Sequence, residues 1–96
     1  LLDGITLSGG EPFCQPEALI PIAEAVKKMG KTVFAYTGYT LEQLLELGRE
    51  RPAILQLLRL CDTLVDGPYI ESLRDLDLQF RGSSNQRILD LHQISL

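Results

Sequence analysis

Three short runs of β-forming residues, each ending at a glycine and separated by amphipathic stretches, constrain this chain more than any other feature. They are Ile5-Thr6-Leu7-Ser8, Thr32-Val33-Phe34-Ala35-Tyr36 and Asp62-Thr63-Leu64-Val65-Asp66. β-Branched and aromatic side chains suit a pleated, half-buried surface. Gly9-Gly10-Glu11-Pro12, Thr37-Gly38-Tyr39 and Gly67-Pro68 close the three runs as turn signals. Between the first two, Leu19, Ile22, Ala23, Val26 and Met29 recur at helical spacing, with Glu24, Lys27 and Lys28 on the other face. Pro21 has no backbone N–H, so the regular helix is expected to start there, with Pro16 opening an earlier turn. Gly30 is the expected C-cap.

Thr40 and Gln43 have the spacing of a capping box ahead of Leu41, Leu44 and Leu45. Gly48 and Pro52 separate that helix from another, whose apolar face is Ile54, Leu57, Leu58 and Leu60. A short helix over 70–76, an extended piece over 78–81, a turn at Gly82-Ser83-Ser84-Asn85 and a last strand over 87–91 complete the expected elements.

Strands alternating with helices predict βαβ units, hence an α/β fold with a mostly parallel sheet and right-handed crossovers. Four strands at most amount to half of a (βα) barrel or one wing of an open sheet. Residues 1–96 are expected to form one domain or part of a larger one. In either architecture ligands bind at the C-terminal ends of the strands. The candidate site is therefore Ser8-Gly9-Gly10-Glu11 with Tyr36-Thr37-Gly38-Tyr39 and Asp66-Gly67-Pro68-Tyr69.

Charge and composition narrow the partners. The net charge is −4 with no run of like charges, which argues against nucleic-acid binding and against a polybasic membrane anchor. No apolar stretch reaches the roughly 18 residues that span a bilayer. The chain opens at Leu1 without a methionine and with no secretory signal pattern, at the start of a strand, so a fragment is expected. Cys14 and Cys61 lie far apart, outside any metal-binding spacing, and are expected to be buried thiols.

Leu7-Ser8-Gly9-Gly10-Glu11-Pro12, after a strand and before a helix, resembles the GGE motif of radical S-adenosylmethionine (SAM) enzymes. Tyr36-Thr37-Gly38-Tyr39, Leu64-Val65-Asp66-Gly67 and Phe80-Arg81-Gly82-Ser83-Ser84-Asn85-Gln86-Arg87 follow in the order and spacing of the anaerobic ribonucleotide reductase activating proteins. The likeness runs from Gly4 to about Leu91, and on it the chain is identified as similar to the C-terminal portion of that family.

The resemblance implies a partial radical SAM half-barrel and specific chemistry. A 4Fe-4S cluster held by three cysteines binds SAM, and an electron, from a donor such as flavodoxin, cleaves SAM to methionine and a deoxyadenosyl radical. That radical takes a hydrogen from a glycine of the anaerobic ribonucleotide reductase, in the cytoplasm. It further implies that Gly9, Gly10 and Glu11 receive the methionine end of SAM, with glycines giving close backbone access. Glu11 holds the turn or assists the ammonium. Tyr36 and Thr37 flank SAM, or Tyr36 packs in the core. Asp66 faces the pocket, or caps the next turn as a solvated carboxylate.

One departure stands out. The family's C-x-x-x-C-x-x-C motif lies upstream of the first strand and is not in this sequence, so the chain alone is expected neither to assemble the cluster nor to cleave SAM. The polar string 81–87 is either an anion- or partner-contacting loop or a structural turn. His92, the one histidine, is expected at the surface, without an acidic partner. Two rival readings remain: an activase of another glycyl-radical enzyme, and a non-catalytic α/β binding module. An open edge on the first strand suggests a homodimer.

Overall fold

A computed structural model describes residues 4–8, 10–68, 70, 72, 85–94 and 96. The β-rich runs form β1 (Gly4–Leu7), β2 (Thr32–Tyr36) and β3 (Thr63–Asp66), and a fourth strand, β4, spans Arg87–Asp90. The helices are α1 (Pro16–Lys28), α2 (Leu41–Leu47) and α3 (Pro52–Leu60), with single 3-10 turns at Pro12–Cys14 and Leu91–Gln93. The strand order is β1-β2-β3-β4. β1, β2 and β3 pair in parallel, whereas β4 returns antiparallel on β3, with Thr63 opposite Asp90 and Asp66 opposite Arg87. The fold is thus α/β, with a mixed, mostly parallel open sheet and three helices. The pieces expected over 70–76 and 78–81 lie almost wholly outside the described residues, as do Gly82, Ser83 and Ser84.

Helix α1 starts at Pro16 rather than at Pro21, which lies inside it. Pro16 sits at the first helical position, where a missing N–H removes no bond. Pro21 removes the donor that would reach the Glu17 carbonyl. Both residues are exposed, so water can donate to that carbonyl in place of the missing N–H. The buried stripe is Pro16, Ile20, Ala23 and Val26, while Ile22 and Met29 are 50% and 63% exposed. The helix carries two apolar stripes, and contact with β2 and α3 selects only one. Its C-terminus is a Schellman cap: Gly30 N–H donates to the Lys27 carbonyl at 3.0 Å and Lys31 N–H to the Val26 carbonyl at 3.2 Å.

α2 begins with the expected capping box. Gln43 N–H donates to Thr40 Oγ1 at 3.1 Å, and Thr40 N–H to Gln43 Oε1 at 2.9 Å. Its sequel α3 buries Ile54, Leu57 and Leu58. Leu7, Val33, Ala35 and Leu64 of the sheet pack with these residues and with Ile20, Ala23 and Val26 of α1. Each of the Leu, Ile and Val side chains contributes about 1.5–3 kcal/mol on burial. The alternate residues of β2, Phe34 and Tyr36, face the opposite side half-buried, with ring centroids 5.3 Å apart.

Candidate functional site

Because β1, β2 and β3 are parallel, their C-terminal ends fall along one edge, and the start of the antiparallel β4 meets them there. Ser8, Gly10, Glu11 and Pro12 after β1, Tyr36, Thr37 and Gly38 after β2, Gly67 after β3 and Gln86 before β4 line one cavity of about 330 Å³. That volume is at the small end of the range for small-molecule sites. Of the residues singled out from sequence, Gly10, Glu11, Tyr36 and Thr37 come together around this cavity. Gly9 lies outside the described residues. Asp66 does not line the cavity.

Glu11 ties two strand ends together. Its Oε2 accepts from Phe13 N–H at 3.2 Å and from the Thr37 hydroxyl at 2.8 Å, and its Oε1 accepts from Gly38 N–H at 2.7 Å. Thr37 is almost fully buried; its Oγ1 accepts from Tyr39 N–H at 3.1 Å and its own N–H donates to the Val65 carbonyl at 3.0 Å. The carboxylate thus holds the turn and the β2 loop at once. Gly10 stands beside it under different conditions: a Cβ built there meets nothing within 4 Å. Packing leaves that side of Gly10 open to the cavity.

Asp66 is 1% exposed, so it is buried rather than solvated. It alternates with Val65 and so lies on the Leu64 side of β3. Its Oδ2 accepts from Leu41 N–H at 2.7 Å, capping α2, and its Oδ1 accepts from Arg87 Nε at 2.9 Å. Arg87 Nη2 bonds Asp66 as well, and reaches Glu42 Oε1 at 2.7 Å. The bonds to Asp66 first and Glu42 second hold the guanidinium proton more firmly than usual, and Arg87 in turn holds the Glu42 carboxyl below its ordinary range.

The two cysteines are both free and differently placed: Cys61 is buried, whereas Cys14 is exposed, contrary to expectation. Burial, with the Asp62 carboxylate second, pushes the Cys61 thiol up to about 12. Cys14 Sγ lies 3.9 Å from the Tyr39 hydroxyl, and that contact raises the phenol. Among the described residues no three His, Cys, Asp or Glu side chains gather as metal ligands. Three thiolates at close spacing are what a 4Fe-4S cluster needs, and Cys14 and Cys61 do not fit that requirement.

A second polar cluster occupies the opposite edge. Asp62, just before β3, accepts from Val33 N–H at 2.7 Å, and its Oδ1 accepts from Lys27 Nζ at 2.6 Å and lies 2.5 Å from His92 Nε2. His92 therefore has the acidic partner that the sequence did not place beside it. Burial raises the Asp62 carboxyl, but the Lys27, Val33 and His92 bonds outweigh it and leave a net lowering. Gln86 is the cavity residue that sequence reading missed. It sat in a recognised polar string, but only the antiparallel direction of β4 brings it to the strand-end edge.

Residues 1–89 match the model of a 4Fe-4S single cluster domain. The anaerobic ribonucleoside-triphosphate reductase-activating protein of Escherichia coli is 38% identical over 88 residues, covering 86% of this chain and 53% of that protein. Its Haemophilus influenzae counterpart is 38% identical over 89 residues, and that of Vibrio cholerae 37% over 90, each covering 88% of this chain and 54% of the relative. The chain spans about half the length of the curated relatives it matches. No solved structure matches it significantly. Among the described residues no helix is long and apolar enough to cross a membrane.

Proposed function

The chain belongs to the 4Fe-4S single cluster domain family, and from that membership we propose that it is the SAM-cradling part of an anaerobic ribonucleoside-triphosphate reductase activase. Its sheet is then one wing of a radical SAM half-barrel. The cavity that unites three strand ends carries this reading, because Gly10 and Glu11, Tyr36 to Gly38, Gly67 and Gln86, a part of each motif, line it together. The cluster's ligands are not among these residues, so the proposal assigns the cluster to other residues of the protein.

When SAM is bound and reduced, it supplies the radical chemistry that takes a hydrogen atom from a glycine of the reductase, with an electron donor such as flavodoxin. The chain's own residues hold it. Over Gly10, the open backbone takes the methionine end, and nearby carbonyls accept from its ammonium; Gly9 shares that role. Glu11 fixes the floor by pinning Thr37 and Gly38. Tyr36 presents an aromatic flank to the cavity, which also excludes water from a reactive site. Asp66 contributes from behind, by fixing α2 and β4. The setting is cytoplasmic.

The test uses the cluster-loaded protein that carries this sequence, incubated anaerobically with the reductase, SAM and flavodoxin. A glycyl-radical EPR signal on the reductase is expected. SAM cleavage without that signal would point to a different glycyl-radical partner. Loss of SAM binding altogether would leave a non-catalytic α/β module.

A further inference from the structure

Gln86 stands at the one wall of the cavity that no parallel strand builds. It is 8% exposed and lines the cavity at the far end of the strand row from Gly10. Its Nε2 donates to the Gly67 carbonyl at 3.1 Å. Gly67 has φ of 97°, and its N–H donates to the Tyr39 carbonyl at 2.7 Å. The peptide groups on both sides of Gly67 are therefore fixed, one by the β2 loop and one by Gln86. A glycine in the left-handed region has several backbone conformations open to it. Without the Gln86 bond, the peptide after Gly67 can turn and move its carbonyl against the cavity.

The neighbours of Gln86 fix where it stands. Arg87, next in the strand, points to the other face of the sheet. There it grips Asp66 and Glu42. Asn85 Nδ2 donates to the Pro68 carbonyl at 2.7 Å. Residues 85–87 thus grip the turn after β3 at successive points, and the middle one faces the cavity.

The geometry points to Gln86 as a positioning residue of this cavity, acting through the Gly67 carbonyl to set the wall for the nucleoside end of an adenosylated amino acid. The assignment rests on reading the cavity as a SAM site, with the amino-acid end over Gly10.

A pH-dependent substitution tests it. In Gln86→Glu the carboxylate faces the Gly67 carbonyl with no proton to donate, and protonation restores an O–H donor of nearly the same shape. Gln86→Leu lacks a donor at every pH. S-adenosylhomocysteine and, separately, methionine alone are titrated by calorimetry into the cluster-loaded protein that carries this sequence and into both variants. Near neutral pH both variants should bind S-adenosylhomocysteine about tenfold more weakly, the scale of one lost hydrogen bond. Relative to wild type, Gln86→Glu should recover as pH falls toward about 5, near the carboxyl range, while Gln86→Leu should not. Methionine should bind all three alike, a split that general loosening of the fold would not give. A Gln86→Glu deficit that ignores pH, or wild-type affinity in Gln86→Leu, overturns the assignment and leaves the SAM reading standing. If neither ligand binds the wild-type cluster-loaded protein, the SAM reading falls and this assignment with it.

Discussion

Gly10 and Glu11 are adjacent in the sequence, yet the structure gives them opposite sensitivities. A side chain at Gly10 enters open cavity space, so Gly10→Val should shift stability by no more than about 0.5 kcal/mol, as for a neutral surface change. In the cluster-loaded protein the same variant should lose SAM binding, because the isopropyl group occupies the ligand's approach. Thermal unfolding together with SAM titration checks both halves, and unchanged SAM affinity would remove Gly10 from the site. Glu11→Gln should behave in reverse. Its new amide N–H₂ replaces an acceptor facing Gly38 N–H or Thr37, and the mismatch should cost about 1–3 kcal/mol in denaturant unfolding. The glycine and the carboxylate were legible as a motif in a strand-to-helix turn. The partners of Glu11 were not, because Thr37 and Gly38 follow it by 26 and 27 residues and only the parallel β1–β2 pairing brings them alongside. Asp66 shows the same limit: a strand-end carboxylate could be read from sequence, but its burial against Arg87 depends on a strand that runs the other way.

At the level of elements, Asp62 joins three pieces that are distant in sequence: α1 through Lys27, β2 through Val33 N–H and the C-terminal turn through His92. Its backbone carbonyl adds a fourth link, accepting from Leu91 N–H at 3.0 Å. Asp62→Ala leaves Val33 N–H without its acceptor and should destabilise the chain by about 1–3 kcal/mol. The pH dependence has a definite sign. The folded carboxyl titrates below its unfolded value of 3.8, so its stabilisation is present above that value and is lost as pH falls through the lower folded value. Acid unfolding followed by circular dichroism should therefore show a loss of stability below about pH 4 that is smaller in Asp62→Ala. Local signals predicted the elements themselves well: the Thr40–Gln43 capping box and the Gly30 cap form as their residues dictate. The phase of α1 was less legible. Ile20 and Ile22 are equally apolar, and only the position of α3 and β2 decides that Ile20 is buried and Ile22 exposed.

For the molecule as a whole, the order β1-β2-β3-β4 leaves the outer sides of β1 and β4 without a strand partner among the described residues. The two edges are not equivalent. β4 carries Arg87 and Asp90 at its ends, and charged side chains on an edge discourage further pairing. β1 reads Gly-Ile-Thr-Leu, with no charge and with an exposed Thr6 between Ile5 and Leu7. Its outward N–H and C=O groups are therefore the better template for another strand. If the 96-residue chain is studied by itself, β1 should pair with β1 of a second copy, a closed two-fold arrangement that satisfies both edges at once. The sequence made this edge legible as an apolar strand, whereas its position at the end of the row follows only from the observed strand order. Sedimentation over a concentration series should show a monomer–dimer equilibrium. Thr6→Lys, which adds a charge to the β1 edge without touching the buried Leu7, should shift it toward monomer by about two- to fivefold, the cost of opposing like charges across a strand pair. A wild-type chain that stays monomeric at high concentration, with a well-dispersed amide spectrum, would show that the β1 edge is covered from within.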